Sequence, residues 1–208
     1  MNKLYKPLFL IPLIIIGCKN KNIDKKYLSQ SINNLNMNIF SKEGVKMFFI
    51  KSPNSYYDKE TNNFKLKETT INIFKDNKLE YIINSDKSKL SNNNKLIELN
   101  GNVLVKKINQ QDDKITANSF TWNIQKSEYL LIGNVKLENN SVTLSSNKAV
   151  LKKSTNIIEF FNPVKYKIND SIRDSQYEIN SENAYYNIDT KSVNFNSKES
   201  RVRSKIYF

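Results

Sequence analysis

Apolar and polar residues alternate along most of the chain after residue 41. In Val135-Lys136-Leu137-Glu138, the two apolar side chains fall on one face and the two charged side chains on the other. The same alternation runs through residues 164–168 and 177–179. A period of two is typical of strands with one buried and one solvated face. No stretch after residue 41 has a convincing helical period, so the sequence predicts an all-β body over residues 41–208.

An eight-residue pattern recurs four times within this body. It begins aliphatic, polar, small, then Asn, Asp or Glu, and it closes on a large apolar residue. The copies lie at 83–90, 115–122, 144–151 and 179–186. A second motif follows each copy, at 97–105, 130–137, 157–168 and, in degenerate form, 193–202. With a weaker unit at 48–73, the repeat predicts roughly five strand pairs, separated by turns rich in Asn, Asp, Ser and Lys.

Glycine is rare in the chain, yet it occupies the same local setting twice. Two of the four glycines, Gly101 and Gly133, stand in Gly-Asn-Val sequences, and Asn162-Pro163 fills the equivalent slot of the next unit. Glycine and asparagine tolerate positive φ, and proline fixes φ and lacks an N–H, so all three suit a bend or bulge. We predict strand corners at Gly101, Gly133 and Pro163, which would curl the sheet around an apolar groove. The alternative is ordinary hairpin chemistry at each Gly-Asn-Val.

The N-terminus resembles that of an exported lipoprotein. The apolar run at 8–16 follows two lysines and would span only about 13 Å as a helix, far less than the ~30 Å hydrocarbon core. We therefore predict a signal peptide at 1–17. Residues 15–18, Ile-Ile-Gly-Cys, resemble a lipobox, and Cys18, the only cysteine, is the predicted lipidation site. The alternative is ordinary cleavage with Cys18 in the signal region. Residues 18–40 are polar and Asn-rich, which predicts a tether.

Composition narrows the function. The chain has no histidine and one cysteine, which excludes an internal disulfide, a histidine general base and nearly every His/Cys metal site. We expect no catalysis, no metal and no cofactor. The net charge of +13 indicates an anionic partner or an Asn-, Lys- and Ile-rich composition. The aromatic residues fall mainly at inward, alternating positions, which disfavours nucleic-acid binding.

Four features together resemble the LptC/OstA-like family of lipopolysaccharide-export proteins. They are the N-terminal anchor, the Lys-Ser-Pro-x-x-Tyr-Tyr-Asp stretch at 51–58, the Gly-Asn-Val repeats, and the spacer from Ala117 to Trp122. The resemblance covers about residues 41–205. It implies an open β-jellyroll with an apolar groove for acyl chains, and exposed strand edges that join neighbouring jellyrolls. We expect these edges near 45–50 and 193–207.

The resemblance also implies a role and a place. The chain would receive lipopolysaccharide, or a similar amphipathic lipid, from an inner-membrane ABC transporter and pass it to a soluble LptA-like jellyroll toward the outer membrane. It would sit, lipid-anchored, on the periplasmic face of a Gram-negative-type envelope, with the inner membrane favoured and the outer membrane as the alternative. The competing function is a structural or adhesive surface lipoprotein with a closed β-repeat body and no ligand channel.

Alternation assigns thirteen side chains to the inner face, where they would line the groove or pack the core. They are Leu99, Val103, Val105, Phe120, Trp122, Val135, Leu137, Leu144, Phe160, Val164, Tyr166, Ile179 and Tyr186. Lys106, Lys136 and Lys165 alternate with this set, so we expect them on the solvated face, with contact to lipid phosphates at the rim as the alternative.

Overall fold

A computed structural model describes residues 29–91, 93, 95–108, 113–139, 142–152, 154–170 and 175–207. The predicted signal peptide, Cys18 and the first part of the tether lie outside these residues. The described residues form twelve antiparallel strands. In chain order they are β1 (Ser29–Phe40), β2 (Lys46–Asp58), β3 (Asn63–Lys75), β4 (Lys78–Ser91), β5 (Leu96–Lys107), β6 (Lys114–Asn123), β7 (Glu128–Glu138), β8 (Val142–Lys152), β9 (Ile157–Asp170), β10 (Ser175–Asn187), β11 (Val193–Asn196) and β12 (Arg203–Tyr207).

The strands form one sheet in which sequence neighbours are also spatial neighbours. The order runs from β1 through β11, and β12 pairs with β10. β11 pairs with residues 183–186 of β10, and β12 pairs with residues 176–180, so the two short strands follow one another along the same side of β10. Among the described strands no pairing joins β1 to β11 or β12, so the sheet is open. The prediction of an all-β open jellyroll is confirmed.

The predicted repeat coincides with the strands. The four octets fall within β4, β6, β8 and β10, and the motifs that follow them fall within β5, β7 and β9 and over β11. Within the described ranges, no helix has the length and apolar character of a membrane span.

The N-terminal boundary of the folded body differs from the prediction. Ser29–Phe40 is a strand paired with β2, so the predicted tether through residue 40 is wrong for this segment. Leu35, Met37 and Ile39 are half-buried and alternate with exposed residues. Asn34, with a φ of 55°, interrupts this alternation, so the sequence of this strand has no regular period of two. A tether can extend only to residue 28.

This strand also moves the N-terminal edge of the sheet. All but the first residue of the predicted edge at 45–50 lies in β2, which has β1 on one side and β3 on the other. The edge is therefore β1. The C-terminal edge, formed by β11 and β12, lies within the predicted range of 193–207.

The sheet folds onto itself. Phe48 of β2 packs on Trp122 of β6 with ring centroids 4.9 Å apart. These strands are four positions apart in the sheet, which would separate them by about 19 Å if it were flat. The buried apolar residues of β2 through β10 form a single cluster, so the inner face of the sheet encloses the core. We call the space between the facing halves of this inner face the groove.

The folding occurs where the cross-strand register is interrupted, and we call these positions corners. The pairings skip two residues between Asn84 and Lys87, Asn100 and Val103, Thr116 and Ser119, Ile132 and Val135, and Ser145 and Lys148. The structure places Gly101 and Gly133 at corners, each with a φ of 78°, and Pro163 follows a cis peptide bond in β9. Corners in successive strands lie side by side, so the whole sheet bends along one line.

The glycines leave room for a side chain of the preceding strand. A Cβ on Gly101 would lie 2.5 Å from Oδ2 of Asp86, and a Cβ on Gly133 would lie 2.7 Å from Nδ2 of Asn118. Asn102 donates a hydrogen bond from Nδ2 to Oδ2 of Asp86 at 2.9 Å. Asp86 and Asn118 are the fourth residues of their octets. The octet and the Gly-Asn-Val motif therefore fit together as two halves of one corner.

The small residue of the octet has its own role at the corner. The Oγ atoms of Ser85, Ser146 and Ser181 each donate to the carbonyl two residues later, at 3.3, 2.9 and 3.0 Å. Ser52 of β2 makes the same bond at 2.8 Å. Since Ser85 and Ser146 are buried, these bonds satisfy polar groups that the bent backbone would otherwise leave unpaired.

Glu182, at the corner of β10, fixes the segment between β11 and β12. Its carboxylate accepts the backbone N–H groups of Lys198 at 2.8 Å, Glu199 at 3.1 Å and Ser200 at 2.6 Å. The hydrogen bond from Lys198, followed by that from Ser200, lowers the pKa of Glu182 to about 2. The ionised carboxylate is therefore the form that holds the segment.

We expect this attachment to depend on pH. The pKa of Glu182 is lower in the folded chain than its ordinary value of 4.5, so the ionised carboxylate stabilises the folded chain above pH 4.5. This contribution disappears as the pH falls toward 2. The protection factors of the amides of residues 193–207, which correct for the change of the intrinsic exchange rate with pH, should fall over that window, and Glu182→Gln should show the lower protection already at pH 6. Glu199→Gln, which keeps the Glu199 N–H, is the control. Equal exchange in Glu182→Gln and wild type at pH 6 would rule out this role.

Candidate functional site

The groove contains a cavity of about 270 Å³. Each strand from β3 through β10 contributes to its wall, as does the turn after β10. The apolar and aromatic lining residues are Ile73, Tyr81, Ile83, Val105, Ile115, Phe120, Tyr129, Leu131, Leu137, Leu151, Ile158, Tyr186 and Ile188. An apolar cavity built from alternate residues of eight strands is a consequence of the period-two pattern once the sheet has folded over.

The thirteen predicted groove residues all lie on the inner face. Ten of them are buried, and Val105, Tyr166 and Ile179 are half-buried. Four line the cavity, namely Val105, Phe120, Leu137 and Tyr186. The other nine belong to the surrounding core or its margin. Contact with lipid stays a prediction for all thirteen.

The sequence analysis missed several wall residues. Ile115 is the first residue of an octet, and Tyr129 directly precedes a second motif. Both follow the same alternation of apolar and polar residues that predicted the inner face for their neighbours. Tyr81 and Ile158 lie in β4 and β9 and follow the same period. Alternation was the available signal for all four, although it does not distinguish a cavity wall from a filled core.

One wall of the cavity is aromatic and uncharged. Tyr129 stacks against Phe120 and Trp122, with ring centroids 5.9 and 5.5 Å apart. Burial, followed by the nearby charge of Glu80, raises the pKa of both Tyr81 and Tyr129 to about 12. Both hydroxyls therefore stay neutral at any physiological pH, and this wall presents no charge to a ligand.

Charged side chains surround the cavity. Lys75, Glu80, Lys107 and Lys114 lie among its lining residues, together with the acidic Asp189. The sequence analysis did not single out these lysines. Charge beside an apolar chamber suits an amphipathic ligand, with its acyl part inside and its polar part at the charged side chains.

An ion pair connects two sides of the cavity. The ammonium group of Lys191, in the turn after β10, donates to the carboxylate of Asp113, which precedes β6. The two residues are 78 positions apart in the sequence. About a quarter of the Asp113 side chain and a third of the Lys191 side chain are exposed, so the pair adds little to stability.

The predicted outer lysines lie away from the cavity. Lys136 pairs with Glu138, and Lys165 Nζ lies 3.1 Å from Oε2 of Glu178. Neither these lysines nor Lys106 belongs to the cavity lining. Their placement agrees with the expected solvated face.

Both edges of the sheet are accessible in the described part of the chain. β1 pairs only with β2, and β11 and β12 pair only with β10. Ile206 and Tyr207 of β12 expose about half of their surface. Unpaired edge strands offer backbone hydrogen bonds to a further strand.

Two family models match the sequence. One, described as lipopolysaccharide-assembly, LptC-related, matches residues 16–129, and the other, described as OstA-like protein, matches residues 110–206. The first covers more than half of the chain, and together the two span residues 16–206.

A comparison with solved structures also gives matches. The crystal structure of LptH from Pseudomonas aeruginosa, described as the LptA homologous periplasmic component of the conserved lipopolysaccharide transport device, is 15% identical in sequence. The match covers 62% of this chain and 94% of that one, with a TM-score of 0.46. No curated protein matches the chain.

Proposed function

Because the chain belongs to the LptC-related family of lipopolysaccharide-assembly proteins, we propose that it receives lipopolysaccharide from an inner-membrane ABC transporter and passes it on to a soluble LptA-like jellyroll. Proteins of this family are periplasmic components of the lipopolysaccharide transport bridge and act without catalysis. The proposal adds the position of this chain within the bridge, its lipid anchor and the groove as the path of the acyl chains.

The observation that carries the proposal is the apolar cavity with charged residues beside it. A buried CH₂ group contributes roughly 0.8 kcal/mol, so ten methylenes of one acyl chain would prefer the groove to water by about 8 kcal/mol. The neutral Tyr81 and Tyr129 hydroxyls add no charge that would oppose this transfer. Transport then requires only shielding from water, with the force supplied by an upstream ATPase that pushes successive molecules.

We propose that neighbouring jellyrolls attach at the two edges. An added strand on β1, and another beside β11 and β12, would extend the sheet by backbone hydrogen bonds. The groove of one protein would then continue into the groove of the next. The structural alternative predicted a closed body, whereas the described sheet is open, so no observation favours that function over transport.

Photo-crosslinking in cells tests the path of the lipid. Val105 lines the cavity, and Leu104, its neighbour on β5, points to the other face of the sheet. A photoreactive residue at 105 should give lipopolysaccharide adducts and one at 104 should give few. The same probe at the exposed Asn36 of β1 should capture a protein with a jellyroll fold. Equal lipid yields at 104 and 105 would contradict the proposed path.

We propose that Cys18 carries the anchor and that the inner membrane holds it. Since β1 begins at Ser29, residues 18–28 form the connection, which extends at most about 40 Å. Cys18→Ser should leave the chain without acyl groups, detectable by mass spectrometry, and Lys19→Ser should retain them. Fractionation of the two membranes identifies the one that holds the lipidated chain. Acyl groups retained in Cys18→Ser, or absent from the wild-type chain, would contradict the proposed anchor.

A further inference from the structure

Four lysines face one another on the outer surface of β3 and β4. Lys65 is paired with Lys89, and Lys67 is paired with Lys87. Lys65, Lys67 and Lys87 are exposed, and Lys89 is half-exposed. We call these four residues the lysine patch. Like charges directly opposite one another on a sheet are unfavourable, so nothing in the packing of the sheet accounts for the arrangement.

The patch is poorly compensated by acidic residues. Lys89 Nζ lies 3.6 Å from Oε2 of Glu98. Lys65 makes a minor Coulombic contact with Asp58, whose pKa is lowered mainly by hydrogen bonds from Thr61. Among the described residues no ion pair involves Lys67 or Lys87. The surface therefore carries an excess of positive charge that an anionic partner would neutralise.

The patch lies at the end of the sheet where the chain enters. Ser31 of β1 is paired with Tyr56, Tyr56 with Lys65, and Lys65 with Lys89, so all four residues form one row across the sheet. β1 begins at Ser29, one step along the same face. Strands are spaced about 4.8 Å apart, so Lys65 lies about 10 Å from Ser31 and Lys89 about 14 Å.

We propose that the lysine patch binds the anionic lipid headgroups of the membrane that holds the N-terminal anchor. The inference rests on the proposed anchor, because residues 18–28 can span at most about 40 Å, so that a lipid on Cys18 would keep this end of the sheet within reach of the membrane. Basic residues that come within a Debye length of anionic lipids, about 10 Å, are attracted to the negative surface potential, an interaction screened by salt. The contact would hold the groove in one orientation relative to the membrane.

Trp122 provides a native probe for this contact. It is the single tryptophan of the chain, and it lies on the inner face opposite Ile97, one residue along from the row of Lys65 and Lys89. The full chain is reconstituted into vesicles that contain a dansyl-labelled headgroup, with either phosphatidylcholine alone or 30% phosphatidylglycerol. Energy transfer from Trp122 to dansyl then reports how closely this end of the sheet approaches the surface.

We expect higher transfer on the anionic vesicles, reduced at least twofold by Lys65→Glu/Lys67→Glu/Lys87→Glu and by 1 M NaCl. The matched control, Lys42→Glu/Lys78→Glu/Lys106→Glu, changes the net charge equally at exposed positions outside the patch and should keep the transfer. Thermal melting verifies that both variants are folded.

Equal transfer on the two kinds of vesicle, or an equal loss in both variants, would overturn the proposal and leave an acidic protein as the partner. Two other measurements test the proposed function independently of the lysine patch. Co-flotation with neutral vesicles tests the anchor, and lipid adducts at residue 105 test the groove. If the chain left neutral vesicles but still bound anionic ones through Lys65, Lys67 and Lys87, the anchor would be refuted and the patch supported.

Discussion

Ile115→Asp should weaken the binding of lipopolysaccharide to the full chain at least tenfold, whereas Thr116→Asp should leave it within about twofold. Ile115 is half-buried and lines the cavity, and Thr116 is the next residue of β6 and points to the opposite face. An aspartate at 115 removes an apolar contact of about 1.5–3 kcal/mol and places a carboxylate where an acyl chain would lie. Since 1.4 kcal/mol is tenfold in Kd, the first loss alone reaches the predicted effect.

The measurement is a binding titration of the purified full chain with lipopolysaccharide. Thermal melting of both variants separates a loss of binding from a loss of fold. The two variants are matched, because each introduces one carboxylate at adjacent positions of the same strand. If Ile115→Asp remained folded and bound as tightly as Thr116→Asp, the cavity would not be the binding site.

Gly101→Ala should destabilise the protein by about 2–3 kcal/mol. Its φ of 78° costs a non-glycine residue roughly 1–2 kcal/mol, and the new Cβ would lie 2.5 Å from Oδ2 of Asp86. Gly133→Ala should behave in the same way through its contact with Asn118. Chemical denaturation gives the free energy of unfolding for each variant.

Gly44→Ala is the matched control for this prediction. Gly44 has a φ of 79°, but no atom lies within 4 Å of the position that its Cβ would take. Gly44→Ala should therefore lower the free energy of unfolding only by the cost of the positive φ, roughly 1–2 kcal/mol. Asp86→Ala combined with Gly101→Ala should recover part of the steric loss, because it removes Oδ2 but leaves the Cβ of residue 86 at 3.1 Å. Equal costs at Gly44 and Gly101 would mean that the corners are not closely packed.

Much of the fold was predictable because one period governs most of the chain. Alternation with turn-forming clusters located β4 through β10, and the fixed offset between octet and Gly-Asn-Val placed the corners. The sequence missed β1, because Asn34 shifts its alternation between Ile32 and Leu35. An irregularity of one residue is enough to make a strand resemble a tether when no neighbouring motif supports it.

The candidate site was less predictable than the fold. Alternation places a side chain on the inner face, but the distance between the facing halves of the sheet decides whether it lines a cavity or fills the core. Val135 and Val105 carry the same sequence signal, yet Val135 is fully buried and absent from the cavity wall, which includes Val105. The charged residues beside the cavity lie at or near strand ends, as Lys75, Lys107 and Lys114 do, or in turns, as Asp189 does, where the apolar alternation stops and gives no signal.

A photo-crosslinking scan along β6 tests the central claim, that the inner face of the folded sheet holds the acyl chains. Ile115 and Phe120 line the cavity, whereas Thr116, Ser119 and Thr121 point outward, with the corner between 116 and 119 shifting the alternation. The account predicts lipid adducts at 115 and 120 and few at 116, 119 and 121. Adducts spread evenly along the strand, or confined to its outward positions, would contradict it.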